Sequence, residues 1–540
     1  MTISPSNTSG EFDVIIIGAG INGAGIARDA ALRGLRVLLL DQGDVGSGTT
    51  SWSSRLIHGG LRYLEHRELG LVRESLRERE RLLRNAPHLV RPLALLIPIY
   101  HGARRGRKLI RAGMVTYDLM SYDKSLPRHR MLAPAETLEQ APGLEREGLL
   151  GAAVYYDAQV EYAERLVLEN VLDAQGFNAT VRTYARVDRL LVEGGAVRGV
   201  EYTDLRSGHT AMTQAPVVLN VAGPWVDHVL RHTDLSQERL IDGTKGSHLI
   251  VDPFPGAPAY ALYTEARSDG RPFFILPWNG LYLIGTTDTK FEGDLNELQA
   301  VAPEIEYLLG ETNRVLPSAH LNNSSVRYSY AGVRPLPFED SEAPSALTRR
   351  HFIRDHGGEF EGLISIIGGK LTTFRELAQQ TVDLVYRKLG RHDPGTSTDL
   401  QSLPGANIHD FAHFSAEFHH EHAEYPVKTR QHLLRVYGTR AIQVVRSAGG
   451  DPDLLAELDP YTGAIRTEVA FAFQHEFAHT LSDVLLRRTM IGLNRDAGLN
   501  VVEEAARVAV EYLGWTNERA LAEVAAYRAY VARFHPKSRC

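Results

Sequence analysis

Cysteine is all but missing from this chain: the sequence holds one, Cys540, in 540 residues. No intramolecular disulfide and no CxxC pair can form, so any redox chemistry has to come from a bound cofactor. Long apolar runs are missing too; none approaches the ~18–20 residues that a membrane span requires. The opening MTISPSNTSGEF carries no charged stretch leading into an apolar core. Residues 1–11 therefore read as a disordered lead and not as a signal peptide. There is no surplus of positive charge: the formal net charge of −7 argues against nucleic acid as the main partner. No repeat of roughly 20 to 50 residues is evident. These absences point to a reduced, soluble enzyme of two or three domains, cytoplasmic or held on a cytoplasmic membrane face.

What is present begins at residues 14–41, VIIIGAGINGAGIARDAALRGLRVLLLD. Val14 to Ile17 suits a buried strand, Ala24 to Leu32 an amphipathic helix closed by Gly34, and Val37 to Leu40 a second strand ending on Asp41. Strand, glycine turn, helix, strand and acid together make the layout of a dinucleotide-binding βαβ unit. Gly18 permits the turn, Gly20 lets backbone approach a pyrophosphate, and Gly23 lets helix and sheet pack closely. The helix N-terminus offers N–H groups to phosphate charge, and Asp41 can accept from a ribose hydroxyl.

In NAD enzymes the fold usually continues through further βα units. Here the second strand runs into Gly46-Ser-Gly-Thr-Thr-Ser-Trp-Ser-Ser54 and then Arg55-Leu-Ile-His58-Gly-Gly-Leu-Arg62-Tyr63. Such a loop is either a flexible connection or a set of donors. In the second case Thr49, Thr50, Ser51, Ser53 and Ser54 serve pyrophosphate and ribityl oxygens, and His58 to Tyr63 reaches a reactive ring. Two distant segments favour donors. Val217 to Trp225 is a strand ending in a small-residue turn, and Leu363 to Glu376 repeats the strand–glycine–helix device at Gly368-Gly369.

Seven segments then match a known family in order across about residues 12 to 380. They are Gly18 to Gly25, Thr49 to Glu65, Ala222 to Trp225, Lys245 to His248, Ile284 to Asp288, Tyr330 to Leu336 and Gly368 to Thr373. The chain resembles the FAD-dependent, respiratory glycerol-3-phosphate dehydrogenases, within the wider group of glycine-oxidase-like flavoproteins. Trp52 departs from the small residue usual in that family. The resemblance implies FAD and oxidation of sn-glycerol 3-phosphate to dihydroxyacetone phosphate, by hydride transfer from C2 to flavin N5, with electrons passed to a membrane quinone. An oxygen-using oxidase of glycerol phosphate or an amino acid shares the same layout, and a non-catalytic FAD-binding protein is the third alternative. Cofactor contacts are expected from Gly18, Gly20, Asn22, Gly23, Asp41, Thr49, Thr50, Ser51, Ser54, Arg55, His58, Val187, Ala222, Gly223, Gly368, Gly369, Lys370, Leu371 and Thr372.

A substrate with a phosphate dianion and a secondary alcohol needs cations, a proton acceptor and a hydride acceptor. Arg62, Arg334 and Lys370 sit beside glycines and suit the cationic role. Tyr63 can hydrogen-bond substrate. His58 and His248, each flanked by Gly or Ser, are the alternative bases, and Arg334 can also stabilise a developing alkoxide. Docking on a bilayer would use residues 101–120, where five cations are interspersed with Leu109, Ile110, Met114, Val115 and Met120.

The expected architecture is α/β: a Rossmann-like FAD-binding domain interleaved with an antiparallel-sheet cap domain over residues 12–390, and a mostly helical C-terminal domain. The cap draws on about 75–150 and 235–345, 391–406 form a linker, and 407–540 are the helical domain. Hairpins are expected at Gly194-Gly195 and Asn279-Gly280. His475-Glu-Phe-Ala-His479 fits the zinc-protease HExxH pattern, but the surrounding residues match the family's C-terminal helix and no metal is expected. A homodimer is compatible with this reading.

Overall fold

The computed structural model describes residues 12–65, 68–231, 239–338 and 350–535, with the side chains of Arg62 and Glu65 excepted. The expected lead at 1–11 and the ends of the second cap segment lie outside the described residues.

Four-residue apolar strands are stable only when both faces are covered. Val14–Ile17 sits in a six-stranded sheet, parallel to Val217–Asn220 on one side and Val37–Leu40 on the other. Leu363–Ile367 and Thr180–Arg182 extend it in parallel, and Phe352–Asp355 closes one edge antiparallel. Val14 and Ile16 face a core shared with the helices Ile21–Leu32, Ala163–Gly176 and Phe374–Leu389. Ile15 and Ile17 face a second core, shared with Leu190, Val197 and Val200 of a three-stranded antiparallel sheet. The central strand is thus flanked on both sides, and a crevice opens at the carboxyl ends of the strands.

A ten-stranded sheet forms the other half of the cavity. Its longest pairs are Val90–Tyr100 with Leu149–Val160 and Ile241–Val251 with Val326–Pro337, both antiparallel. Trp278 pairs with Leu281 across Asn279 and Gly280, whose φ values of 52° and 74° belong to the tight hairpin expected there. The Gly194-Gly195 hairpin also forms, between Ala185–Glu193 and Ala196–Asp204.

The C-terminal region is mostly helical and shares a core with the large sheet. One interruption in this region is local. Apolar residues recur at three-to-four spacing over 469–486, yet the helix Thr467–His475 stops and Phe477 takes a φ of 59°. The stop coincides with Glu476, which is buried between Arg165 (2.6 and 3.0 Å) and Arg440 (2.7 Å). A new turn starts at Thr480 and continues as a π-helical segment, Val484–Arg488. His475 and His479 therefore do not share a helical face, and Glu476 is an ion-pair partner rather than a water-activating base.

Candidate active site

Packing dictates the first glycine turn. Gly18 has a φ of 109°, and a Cβ there would lie 2.6 Å from the Val221 carbonyl oxygen. A Cβ on Gly23 would meet the Gly18 oxygen at 1.8 Å, so close helix–strand packing is what that glycine serves. Gly20 differs: its Cβ would meet only Thr50 Oγ1, at an ordinary 3.6 Å. Nothing among the described residues demands glycine at Gly20, and its bare backbone faces the cavity. The second turn mirrors the first. Gly368 and Gly369 have φ of 75° and 104°, and the helix Phe374–Leu389 follows. Asn22 joins the two, its Nδ2 donating to the Gly368 oxygen at 3.1 Å while its buried Oδ1 has no hydrogen-bond partner among the described residues. Two glycine turns and their helices thus converge on one cavity of about 1810 Å³, a cradle suited to an extended, phosphate-bearing cofactor.

Asp41 stands at the cavity's edge and accepts backbone N–H bonds from Ala19 (2.6 Å) and Gly43 (2.8 Å). Burial pushes its carboxyl up, and those N–H groups oppose the rise. Val187, Ala222, Gly223, Leu371 and Thr372 line the same space.

The hydroxyl loop 46–54 is less uniform than the sequence reading expects. Thr49 and Thr50 line the cavity; the first donates to the Val333 oxygen at 2.8 Å, and the second accepts the Ile21 N–H at 3.2 Å. Ser51 is turned inward, 2% exposed, its Oγ bonded to the Gly46 oxygen at 2.6 Å, so it holds the loop's shape instead of facing a ligand. The Arg55 guanidinium lines the cavity but is buried and paired with Glu164 at 2.7 and 2.8 Å, so its charge is already matched within the protein. Ser54 lines the cavity and bonds His248 Nε2 at 2.8 Å.

His248 itself does not line the cavity. It is 2% exposed and stacked on Tyr330 at 4.9 Å. Burial, then Arg334 and Arg55, hold its imidazolium well below the usual histidine range. The structure makes it a neutral support for Ser54 and a poor proton acceptor. His58, by contrast, lines the cavity, and its backbone N–H donates to Thr372 Oγ1 at 3.1 Å. Underneath, the Gly59 N–H bonds Tyr117 Oη at 3.0 Å, which in turn bonds Asp157 at 2.8 Å, itself paired with Arg79. A Cβ on Gly59 would strike Tyr117 Oη at 2.4 Å, so the glycine after His58 is a packing requirement.

The cationic wall forms beside it. Lys370 Nζ stands 3.7 Å over the Tyr63 ring. Arg334 bonds Asp288 Oδ1 and Thr286 Oγ1, each at 3.1 Å, and keeps 26% of its side chain exposed. The Pro335 oxygen lies 3.7 Å from the Cβ position of Gly368, so the Arg334 strand and the Lys370 loop are neighbours. His58, Tyr63, Arg334 and Lys370 all line the cavity. The Arg62 side chain lies outside the described residues.

Sequence reasoning missed the contribution of the C-terminal region. Tyr530, Arg533 and Phe534 line the cavity, and Trp52 packs on Phe534 at 5.0 Å and on Tyr330 at 5.5 Å. The unusual Trp52 was the only local signal of that contact.

Comparison with known proteins agrees with this geometry. Residues 13–375 match the family of FAD dependent oxidoreductases, and residues 396–520 match the C-terminal domain of alpha-glycerophosphate oxidase. A Synechocystis glycerol-3-phosphate dehydrogenase is 46% identical over 96% of this chain and 96% of its own length. Glycerol-3-phosphate dehydrogenase 2 of Mycobacterium tuberculosis is 37% identical, covering 96% and 88%. The crystal structure of the Bacillus halodurans glycerol-3-phosphate dehydrogenase complexed with FAD superposes with a TM-score of 0.80 at 29% identity, covering 99% of this chain and 97% of that one.

Proposed function

The chain belongs to the FAD-dependent glycerol-3-phosphate dehydrogenases, and from that premise we propose that it converts sn-glycerol 3-phosphate to dihydroxyacetone phosphate and passes the electrons to a membrane quinone. The observation that carries the reading is the meeting of Arg334, Lys370, Tyr63 and His58 on one cavity wall, next to the second glycine turn. Arg334 offers a planar fork and Lys370 a point charge, the two kinds of cation that hold a phosphate dianion. Tyr63, beneath Lys370, orients the substrate. His58 takes the proton of the 2-hydroxyl as C2 is oxidised; His248, held neutral behind Ser54, does not. Arg334 also steadies the negative charge developing on that oxygen. Bound FAD supplies the hydride acceptor. Backbone at Gly18, Gly20, Gly223, Gly368 and Gly369, with Asn22, Asp41, Thr49, Thr50 and Thr372, would hold it.

Quinone is confined to lipid, so the protein has to meet a bilayer, and we place that contact on the cytoplasmic face. No described helix is long and apolar enough to cross a membrane. The helix Arg107–Met120 supports peripheral docking through part of the set first expected, Leu109 and Val115, joined by Leu119. Ile110 and Met114 are buried against the protein, while Leu109 (62%), Val115 (43%), Leu119 (70%) and the following Tyr122 (79%) are exposed. Arg104 and Arg105, just before the helix, line the cavity, which sets the docking surface next to the site.

A second reading, oxygen as acceptor, is favoured by the match of residues 396–520 to an oxidase C-terminal domain. One experiment separates the two. Glycerol 3-phosphate should bleach the flavin anaerobically, and reoxidation should be fast with anionic vesicles carrying a long-chain quinone and slow with oxygen. Leu109→Ser with Leu119→Ser should slow the vesicle reaction and leave a soluble dye acceptor unaffected. Fast reoxidation by oxygen alone would replace quinone with oxygen.

A further inference from the structure

The C-terminal region reaches the cavity at a second place, far from Trp52 in sequence, through the π-helical segment Val484–Arg488. Such segments gather at functional sites because they re-aim side chains that a regular helix would spread apart. Two consecutive arginines leave it. Arg488 is fully buried and accounted for: Nη1 and Nη2 meet Asp44 at 2.9 and 2.6 Å, and Nε donates to the Glu476 oxygen at 2.6 Å. Arg487 donates from Nε to Asp44 Oδ2 at 2.6 Å and from Nη2 to Asp483 Oδ1 at 2.7 Å. It is 4% exposed, it lines the cavity, and its buried Nη1 has no hydrogen-bond partner among the described residues. An unmade hydrogen bond on a buried guanidinium is costly, and where the guanidinium also lines a cavity a ligand can complete it.

The surroundings say which part of a ligand. Asp44 follows Asp41 by three residues, and Arg487 is close enough to Asp41 to stabilise its charged form. The Ala185 N–H donates to the Asp41 oxygen at 2.7 Å, and the Tyr184 N–H to the Gly43 oxygen at 3.0 Å, so the strand carrying Val187 closes the same end. This is the end of Asp41, the acid placed to accept ribose hydroxyls. Two arginines here face two carboxylates, Asp44 and Asp483, so the cluster has no spare charge with which to attract a pyrophosphate. It has a donor to offer a neutral acceptor. Adenosine presents both kinds of group: hydroxyl donors that match Asp41, and ring nitrogens and a ribose ring oxygen that need a donor.

We propose that Arg487 is a cofactor-binding residue: Nη1 donates to an acceptor on the adenosine half of FAD, so that the C-terminal domain holds the dinucleotide from the side opposite the first glycine turn. The C-terminal domain is then part of the cofactor site and not only a cover packed upon it.

Ligand discrimination tests this. In the full-length holoenzyme, Arg487→Met should speed FAD release about tenfold, the loss of one good hydrogen bond. In flavin-stripped protein it should weaken FAD and ADP by the same factor and leave FMN, which lacks adenosine, unchanged. Arg488→Met breaks the same Asp44 cluster without touching the cavity; it should lower the thermal midpoint and keep the FAD-to-FMN affinity ratio. The proposal is overturned if Arg487→Met preserves that ratio, or if Arg488→Met shifts it equally. Because either variant can fail to fold, the wild type provides a further reading: ADP added to the stripped protein should slow amide exchange in residues 484–488. Unchanged exchange there would equally overturn it.

Discussion

At the junction between the cofactor and C-terminal domains, Arg165 is 0% exposed and meets Glu476 through two bonds of 2.6 and 3.0 Å, with Arg440 on the same carboxylate. At the cavity wall, Arg334 keeps 26% of its side chain exposed and meets Asp288 at 3.1 Å. The residue type is the same; the solvation is opposite. Charges removed from water must be matched in place, and each then holds its partner by the penalty of leaving it alone. A charge that water still reaches is matched only loosely and keeps its field for an incoming anion. On the proposed function the junction serves folding and the wall serves binding, and mutations should separate the two.

The largest effect should come from the junction. Glu476→Gln takes from Arg165 and Arg440 the nearer of their two carboxylates and leaves them Glu169, at 3.7 and 3.3 Å, a loss of up to about 3–5 kcal/mol. The thermal midpoint should fall sharply while turnover per flavin in the surviving folded enzyme stays near wild type. An unchanged midpoint with lost turnover would move Glu476 from the junction to the chemistry.

The wall should behave in the converse way. Arg334→Ala removes one charge-assisted contact to phosphate, about 1.5–3 kcal/mol, or roughly 10- to 150-fold in kcat/KM. Lys370→Ala should fall in the same range, and both should keep FAD and the thermal midpoint. The phosphate assignment would be abandoned if glycerol 3-phosphate and a phosphate-free alcohol lost rate equally.

How much of this was legible in the chain follows from the range of each interaction. The βαβ unit, the Gly368-Gly369 turn and the Asn279-Gly280 hairpin are local: apolar period and glycine placement decide them within about ten residues. The directions of Arg55 and His248 are not local. Arg55 is claimed by Glu164, and His248 is placed by its strand's pairing with Val326–Pro337. Contacts of the greatest sequence separation were invisible altogether, as with Trp52 on Phe534 or Asp44 on Arg488. The helix break at Glu476 belongs to this class, since the arginines it meets there, Arg165 above all, are distant in sequence. On the helix Arg107–Met120 two apolar stripes compete, and only packing reveals that Ile110 and Met114 face inward while Leu109 and Leu119 face out.

The smallest effect sharpens the comparison by using pH in place of mutation alone. His88 lies at the junction, 1% exposed, with neither ring nitrogen hydrogen-bonded among the described residues. Glycines at 405 and 438 make its slot: a Cβ on Gly405 would lie 2.4 Å from His88 Nε2. Burial first, and then the charges of Arg165, Arg440 and Arg91, lower its pKa to about 3 from an ordinary 6.5. The unfolded chain therefore takes up a proton below about pH 6.5 that the folded protein refuses. Stability from this group is complete above that pH and declines as pH falls toward 3, by about 1.4 kcal/mol per pH unit for one proton. Glu476, lowered to about 2 from 4.5, adds its own loss only below about pH 4.5. Between pH 6.5 and 4.5 the histidines act without it, and His248 contributes in the same direction. His88→Leu, which fills the slot without a titrating group, should flatten the decline in stability across that window by about one proton's worth. Its stability at pH 7.5 should be near wild type, because no hydrogen bond is lost. Catalysis at the wall should not register the change at all. A slope identical to wild type would mean that His88 is protonated in the folded protein and that the junction admits water.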